Sequence, residues 1–440
     1  MALFLGLAAA RTWGVTDRFW MLGDQIRDWG IALGPFTSLP LVGPVTHVGG
    51  YTLGPAFYWV LWAIRVVVGP WFDNLPHAGG IGSALLQSGV DALLLVAIWK
   101  RTSSAWLAFA TVLLVATAPY DLALSSTVWN PVMASVLAKA AMALVLLGWP
   151  ERSLGRAAVT ATVAWGAFQC HMPALYPALG VMVAIVAPPL VERRARVAAR
   201  RALVVFLVVL VMQAPYVAHR IWRDPGGGGA VSVVDSLGRI ATGESPVRFG
   251  LSADLFAQAF ALIQIRPWNA TWLGWLVVLG AAIVTVRHRR DAALLAVTVF
   301  PLALTFAGYA LWLGASDAYY YMSVMPAAVL TVLLGGTAYG SSRWRRGVAV
   351  AMCVAATLVV PARLRDAQDI HRMPEYKTIL RASRQMAARG VPLRRIEAGF
   401  LLPTSEPDFL YRILGGRLAP DAEWTATVSR DGTVVYTRVQ

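Results

Sequence analysis

Two acids and an arginine cluster near the start of the chain, in the run Leu22-Gly23-Asp24-Gln25-Ile26-Arg27-Asp28-Trp29. On a helix, Asp24 and Asp28 lie one turn apart on the same face and Arg27 neighbours Asp24. Phe19, Trp20, Ile26 and Trp29 supply an apolar side suited to lie on lipid. The spacing holds a carboxylate at a membrane surface, where it can accept a proton; an ordinary interfacial helix with a solvated ion pair has the same pattern. Polar residues recur in three other places. His47 and Tyr51 stand in the turn-rich stretch Leu41–Trp59, Trp129 and Asn130 in Ser125-Ser-Thr-Val-Trp-Asn-Pro131, and Gln169 and His171 in Gln169-Cys-His-Met-Pro173. Asp317 precedes a run of three tyrosines that starts at Tyr319, and Arg220 and Arg223 close a long apolar run. Polar groups at one depth on different helices suggest one shared cavity.

These residues need a scaffold, and the composition says what kind. Apolar residues make up 58% of the 440 and charged residues 14%, against about 45–50% and 25% in soluble domains. The fold class expected is therefore an all-α polytopic membrane protein. Cys170 and Cys353 both lie in apolar runs, which excludes a disulfide scaffold and a cysteine metal cluster. Apolar stretches long enough to cross a bilayer fall near 81–99, 104–120, 131–149, 156–171, 173–190, 201–218, 271–287, 291–313, 322–340 and 347–361. With a short opening segment, Met1–Trp13, read as a truncated first span, they make about eleven transmembrane helices.

The net charge of +15 invites a nucleic-acid reading, but the distribution of Lys and Arg removes it. They collect in alternate short connections, at Lys100 and Arg101, at Arg152 and Arg156, from Arg193 to Arg201, from Arg287 to Arg290 and from Arg343 to Arg346. The connections between, around 121–130, 171–173 and 314–321, hold none. Cytoplasmic loops retain positive charge, so the alternation orients the chain and places 14–80, 219–270 and the tail outside the cytoplasm. Gly54–Gly69, apolar except for Arg65, fits only as a helix lying in the outer leaflet. The organisation is thus a membrane domain over 1–365 and a small extracytoplasmic α/β domain over 366–440. In that tail the pattern predicts helices over Glu375–Arg389 and Pro407–Leu414, a strand over Arg395–Leu402 and a hairpin about Asp431-Gly432. Asp91 and Lys139 fall inside spans at similar depth, and intramembrane charges pair or function, so a structural contact between them is expected.

Asp24-Gln25, the run from Gly49-Gly50-Tyr51 to Gly54-Pro55-Ala-Phe-Tyr58, Val128-Trp-Asn-Pro131 and Gln169-Cys-His171 occur in an order and spacing that resembles the bacterial branch of the GT-C superfamily. That branch includes the protein-mannosyltransferase-like glycosyltransferases of family 39. The resemblance implies an inverting transfer of a sugar from a polyprenyl-phosphate carrier to an extracytoplasmic acceptor, whether lipid, glycan or protein, in a bacterial cytoplasmic membrane. It makes Asp24 the essential carboxylate. Where many relatives have Asp-Glu this chain has Asp24-Gln25, and where some carry a lysine it has Leu53-Gly54.

The chemistry gives the other residues expected roles. Negative charge grows on the departing phosphate and needs cations or donors, for which His47, His171, Arg220 and Arg223 are candidates on the outer side. Asp28, Tyr51, Trp129, Asn130, Gln169, Asp317 and Tyr319 are candidates for sugar or acceptor contact. An interfacial aromatic belt and snorkelling arginines account for some of the same residues. Nothing in the pattern indicates a cofactor or a metal site. A transporter or flippase and a non-catalytic scaffold are the rival classes; transporters often carry internal repeats, and none is visible.

Overall fold

The computed structural model describes the chain except residues 16–18, 20–22, 46–50, 73–74, 225–232, 261–270, 312–316, 371–374, 400–405 and 440. His47, Gly49, Gly50, Trp20, Trp268 and the glycine run 226–229 lie outside the described residues. The first half holds α1 (Ala2–Thr12), α2 (Gly23–Ala32), α3 (Ala56–Val68), α4 (Leu75–Thr102), α5 (Ala105–Ala116), α6 (Pro119–Leu124), α7 (Asn130–Leu146), α8 (Leu154–Cys170), α9 (Leu175–Val191) and α10 (Ala195–Trp222). The second holds α11 (Val233–Ala241), α12 (Phe249–Phe260), α13 (Thr271–His288), α14 (Ala292–Val297), α15 (Val299–Leu311), α16 (Met325–Gly336), α17 (Ser342–Ile370), α18 (Glu375–Arg389) and α19 (Glu406–Ile413). Strands β1 (Leu393–Glu397), β2 (Trp424–Val428) and β3 (Val434–Arg438) form a sheet in that order, β1 parallel to β2 and β2 antiparallel to β3. The protein is thus a helical membrane body with a small α/β tail.

Among the described residues five helical stretches are long and apolar enough to cross a bilayer: His77–Thr102, Met172–Val191, Ala195–Trp222, Ala292–Leu311 and Ser342–Gln368. Six shorter apolar helices accompany them, so a count of eleven crossings does not follow from helix length. The reason is local: the apolar run 104–120 breaks after Ala116 and restarts with Pro119 at the first turn of α6, and α14 breaks from α15 at Thr298. The helix α17 runs on to Ile370.

The connections sort to two ends. Arg101 donates from Nε to Asp291 Oδ2 at 2.6 Å and lies 3.8 Å from Glu151, and Arg201 donates to the Glu151 carbonyl at 3.0 Å. The uncharged connections meet at the opposite end, where Trp129 lies 4.7 Å from Tyr319 and the His171 ring 5.1 Å from Tyr320. The first loop and the tail join that end: Phe19 packs on His77 at 5.9 Å, and both rings contact Tyr376 of α18, at 5.4 and 5.2 Å. One continuous apolar core therefore runs from the membrane body into the tail.

Charge inside the body is balanced by four groups. Lys139 Nζ lies 2.9 Å from Asp91 Oδ1, the contact expected from sequence, but Arg11 and Asp121 complete the cluster. Arg11 Nη2 reaches Asp91 at 2.6 Å and Asp121 at 2.8 Å, and Lys139 lies 3.3 Å from Asp121. Two cations and two carboxylates cancel in a low-dielectric interior, where an unpaired charge is costly. Arg11 ends a segment too short to read as a full span, so nothing along the chain marks it as an intramembrane charge.

Candidate active site

The candidate carboxylate sits on α2, and three features fix that helix. Its apolar side is buried in protein, not on lipid as the sequence suggested: Trp29 has no exposed surface and Phe19 only 2%. Two adjacent glycines of α4 make the room. A β-carbon on Gly79 would lie 1.9 Å from the Trp29 ring, and one on Gly80 would lie 2.7 Å from Phe19 and 2.4 Å from the Ser126 carbonyl. At the other end of α2, Arg65 of α3 donates to the carbonyls of Ala32 at 2.7 Å and Gly34 at 3.0 Å, and to that of Leu33. It satisfies carbonyls a helix end leaves open, which explains the single cation in α3.

Arg27 is shared between the two acids. Its Nη1 donates to Asp24 Oδ1 at 3.0 Å and its Nε to Asp28 Oδ1 at 2.9 Å. Asp28 also accepts from the Tyr58 hydroxyl of α3 at 3.1 Å, while its Oδ2 is buried with no hydrogen bond among the described residues. The two carboxylates therefore live in different surroundings: the Asp24 side chain is 40% exposed, that of Asp28 1%. Burial raises the Asp28 pKa above the usual carboxylate value and outweighs the opposing pull of Arg27 and Tyr58. Asp28, expected to touch sugar or acceptor, instead faces inward and is committed to Arg27 and Tyr58.

The turn-rich strap that follows α2 is pinned to α8 and α10. A β-carbon on Gly54 would lie 2.2 Å from Gln169 Cδ, so the glycine admits a close approach that no other residue allows. Gln169 in turn donates to the Met212 carbonyl at 2.6 Å and to Gln213 at 3.0 Å, and it is fully buried. It ties the strap to α10, and its side chain has no exposed surface. Tyr51, 43% exposed, packs edge-on to His219 at 5.9 Å, bringing the strap to the end of α10 that carries Arg220 and Arg223. Arg220 is paired with Asp224 at 3.1 Å, and Arg223 is the C-cap of the helix.

A wall of aromatic groups stands at the same end. Trp129, Tyr319, Tyr320 and His171 form a connected, partly exposed cluster, with Tyr319 and Tyr320 4.7 Å apart. Asn130 holds the base of this wall by donating to the Cys170 carbonyl at 3.0 Å. Burial, then the neighbouring Tyr320 and the charges of Asp317 and Asp24, push the Tyr319 phenol above its ordinary range. Asp24 and Asp317 therefore both act electrostatically on the Tyr319 hydroxyl. Behind the wall, Phe256 of α12 contacts Tyr321 at 5.8 Å, so the second large loop closes the back of the site. Trp129, His171 and Tyr319 are in ring contact, and Asp24 and Asp317 lie near enough to act on the Tyr319 hydroxyl; Tyr58 and Arg65 carry no site role in the sequence pattern. An isolated Arg65 in an apolar helix, seven residues after a tyrosine, was the available signal. Among the described residues no three His, Cys, Asp or Glu side chains gather closely enough to hold a metal ion.

No protein-family model matches the chain, and no curated protein matches it in sequence. The fold is nonetheless similar to that of ArnT. The crystal structure of ArnT from Cupriavidus metallidurans in the apo state superposes with a TM-score of 0.58 at 16% identity, covering 95% of this chain and 84% of that one. ArnT from the same organism bound to undecaprenyl phosphate gives 0.54 at 17% identity, covering 95% and 85%. At such identities the likeness concerns the fold.

Proposed function

We propose that the protein is a glycosyltransferase that takes a sugar from a polyprenyl-phosphate carrier and passes it to an acceptor at the extracytoplasmic face of a bacterial inner membrane. One observation carries the reading: in an ArnT-like fold, a half-exposed carboxylate, Asp24, is held by Arg27 and acts electrostatically on Tyr319, part of an aromatic cluster at the end opposite the basic connections. ArnT in one of the superposed structures binds undecaprenyl phosphate, which supports an isoprenoid-linked donor here. A site at that end would let a lipid-borne substrate react with its tail in the bilayer and its sugar in water.

In the proposed reaction the acceptor hydroxyl loses its proton to the Asp24 carboxylate as its oxygen bonds to the anomeric carbon. The bond from that carbon to the carrier phosphate breaks on the opposite face, so the centre inverts and the polyprenyl phosphate leaves with its electron pair. General-base help of this kind contributes roughly 10²–10⁴ in rate. Arg220 and Arg223 stabilise the leaving charge with His171 as a further donor. Trp129 and Tyr319 offer ring faces to the sugar, and Asp317 receives the acceptor, with Tyr51 and Asn130 as further proposed contacts. The test compares wild type with Asp24→Asn, purified and incubated with host membrane lipids. Mass spectrometry should find free polyprenyl phosphate from wild type alone; release from neither points to the transporter class, and equal release from both removes Asp24 from the chemistry.

A further inference from the structure

Asp24 does not fix its own orientation. Its described side-chain partner is Arg27, a long side chain that pays rotamer entropy to hold one position unless something else restrains it. The restraint comes from α3. Tyr58 donates to Asp28, Asp28 accepts from Arg27 Nε, and only then does Arg27 Nη1 present itself to Asp24. The first link is buried on both sides, with Tyr58 2% and Asp28 1% exposed, while exposure rises to 34% at Arg27 and 40% at Asp24. A rigid, dry end thus feeds a wet, reactive one. The same helix grips α2 a second time through Arg65, seven residues or two turns beyond Tyr58, where the guanidinium binds the carbonyls of residues 32–34. Val66, Val67 and Trp71 of this segment are exposed, at 45%, 68% and 81%, as expected of a helix with one side in lipid.

From this geometry we infer that Tyr58 and Asp28 are positioning residues: through Arg27 they set the orientation of the Asp24 carboxylate, so that α3 works as a gauge between the lipid surface and the reacting group. Neither touches substrate. The inference rests on the glycosyltransferase reading, and the buried carboxylate with one orphaned oxygen fits it. A solvated ion pair on an interfacial helix would have no need to bury Asp28 beneath a tyrosine from another element.

The test uses the full-length protein in lipid with a polyprenyl-phosphate sugar as donor, comparing wild type, Tyr58→Phe, Asp28→Asn and both together. Each single variant should lower kcat roughly tenfold or more, because small displacements of a reacting group are costly, with donor KM changed less than about threefold. Since both act through one arginine, the double variant should fall no further than the worse single. Active wild type with kcat insensitive to both single substitutions overturns the relay alone; so does an additive double variant, or a loss confined to donor KM. Wild type that releases no carrier overturns the glycosyltransferase reading and the relay with it.

Discussion

At the scale of residues, the site rests on unequal treatment of two carboxylates one helical turn apart. Asp24 keeps its water and Asp28 loses it, because the Tyr58 ring and the body of α2 close over the second. The difference has a thermodynamic signature. The Asp28 pKa lies above the 3.8 of a free carboxyl, burial being the main cause. The folded state then binds this proton more readily than the unfolded state, so stabilisation from the group is full below that free value and is lost as pH rises through the folded pKa. Replacing Asp28 with Asn should remove that decline. Thermal unfolding across the acid range should show wild type losing stability relative to Asp28→Asn with rising pH; parallel curves would show a carboxyl with an ordinary pKa.

At the scale of elements, α2 is held by shape as much as by charge. Gly79 and Gly80 of α4 leave a hollow that Trp29 and Phe19 fill. Gly79→Val would drive a side chain into the Trp29 indole, and overpacking of this kind costs about 1–3 kcal/mol. More telling than the stability is the expected effect on function: the displaced helix carries Asp24 with it. Transfer should fall by roughly tenfold or more, while Gly280→Ala, with open space around its β-carbon, should leave it unchanged. A carrier-release assay on the two variants separates the outcomes.

Across the whole molecule, the buried cluster of Arg11, Asp91, Asp121 and Lys139 joins α1, α4, α6 and α7 beneath the site. Removing one cation should be severe, since breaking a buried pair costs about 3–5 kcal/mol. Arg11→Met should therefore lower the unfolding temperature in detergent, and adding Asp121→Asn, which restores neutrality, should recover part of the loss. A double variant no more stable than the single would show that Arg11 acts by packing. The chain also joins its ends here: α1 packs in the core, and Tyr376 of the tail docks on Phe19 and His77, so the α/β tail is held by the first loop.

The amino-acid sequence by itself determined what depends on neighbours along the chain. Hydropathy runs marked the helices to within a few residues in most cases, the alternation of Arg-rich and uncharged connections assigned them to two ends, and the tail's helices and its Asp431-Gly432 hairpin were legible from periodicity and turn chemistry. Trp129, His171, Asp317 and Tyr319 were legible as candidates because each lies at a connection without Lys or Arg, and Asp24 because it shares a helix face with Asp28 beside Arg27. Burial was not legible, because it is decided by residues far away in sequence. Tyr58, thirty positions on, turns Asp28 inward; Gly54 and Gln213 close over Gln169; Arg11 and Asp121 complete a charge balance of which only Asp91 and Lys139 fall within apolar runs of spanning length. Only the tertiary structure could decide which charged group stays wet, because solvation follows from packing in three dimensions and not from spacing along a helix.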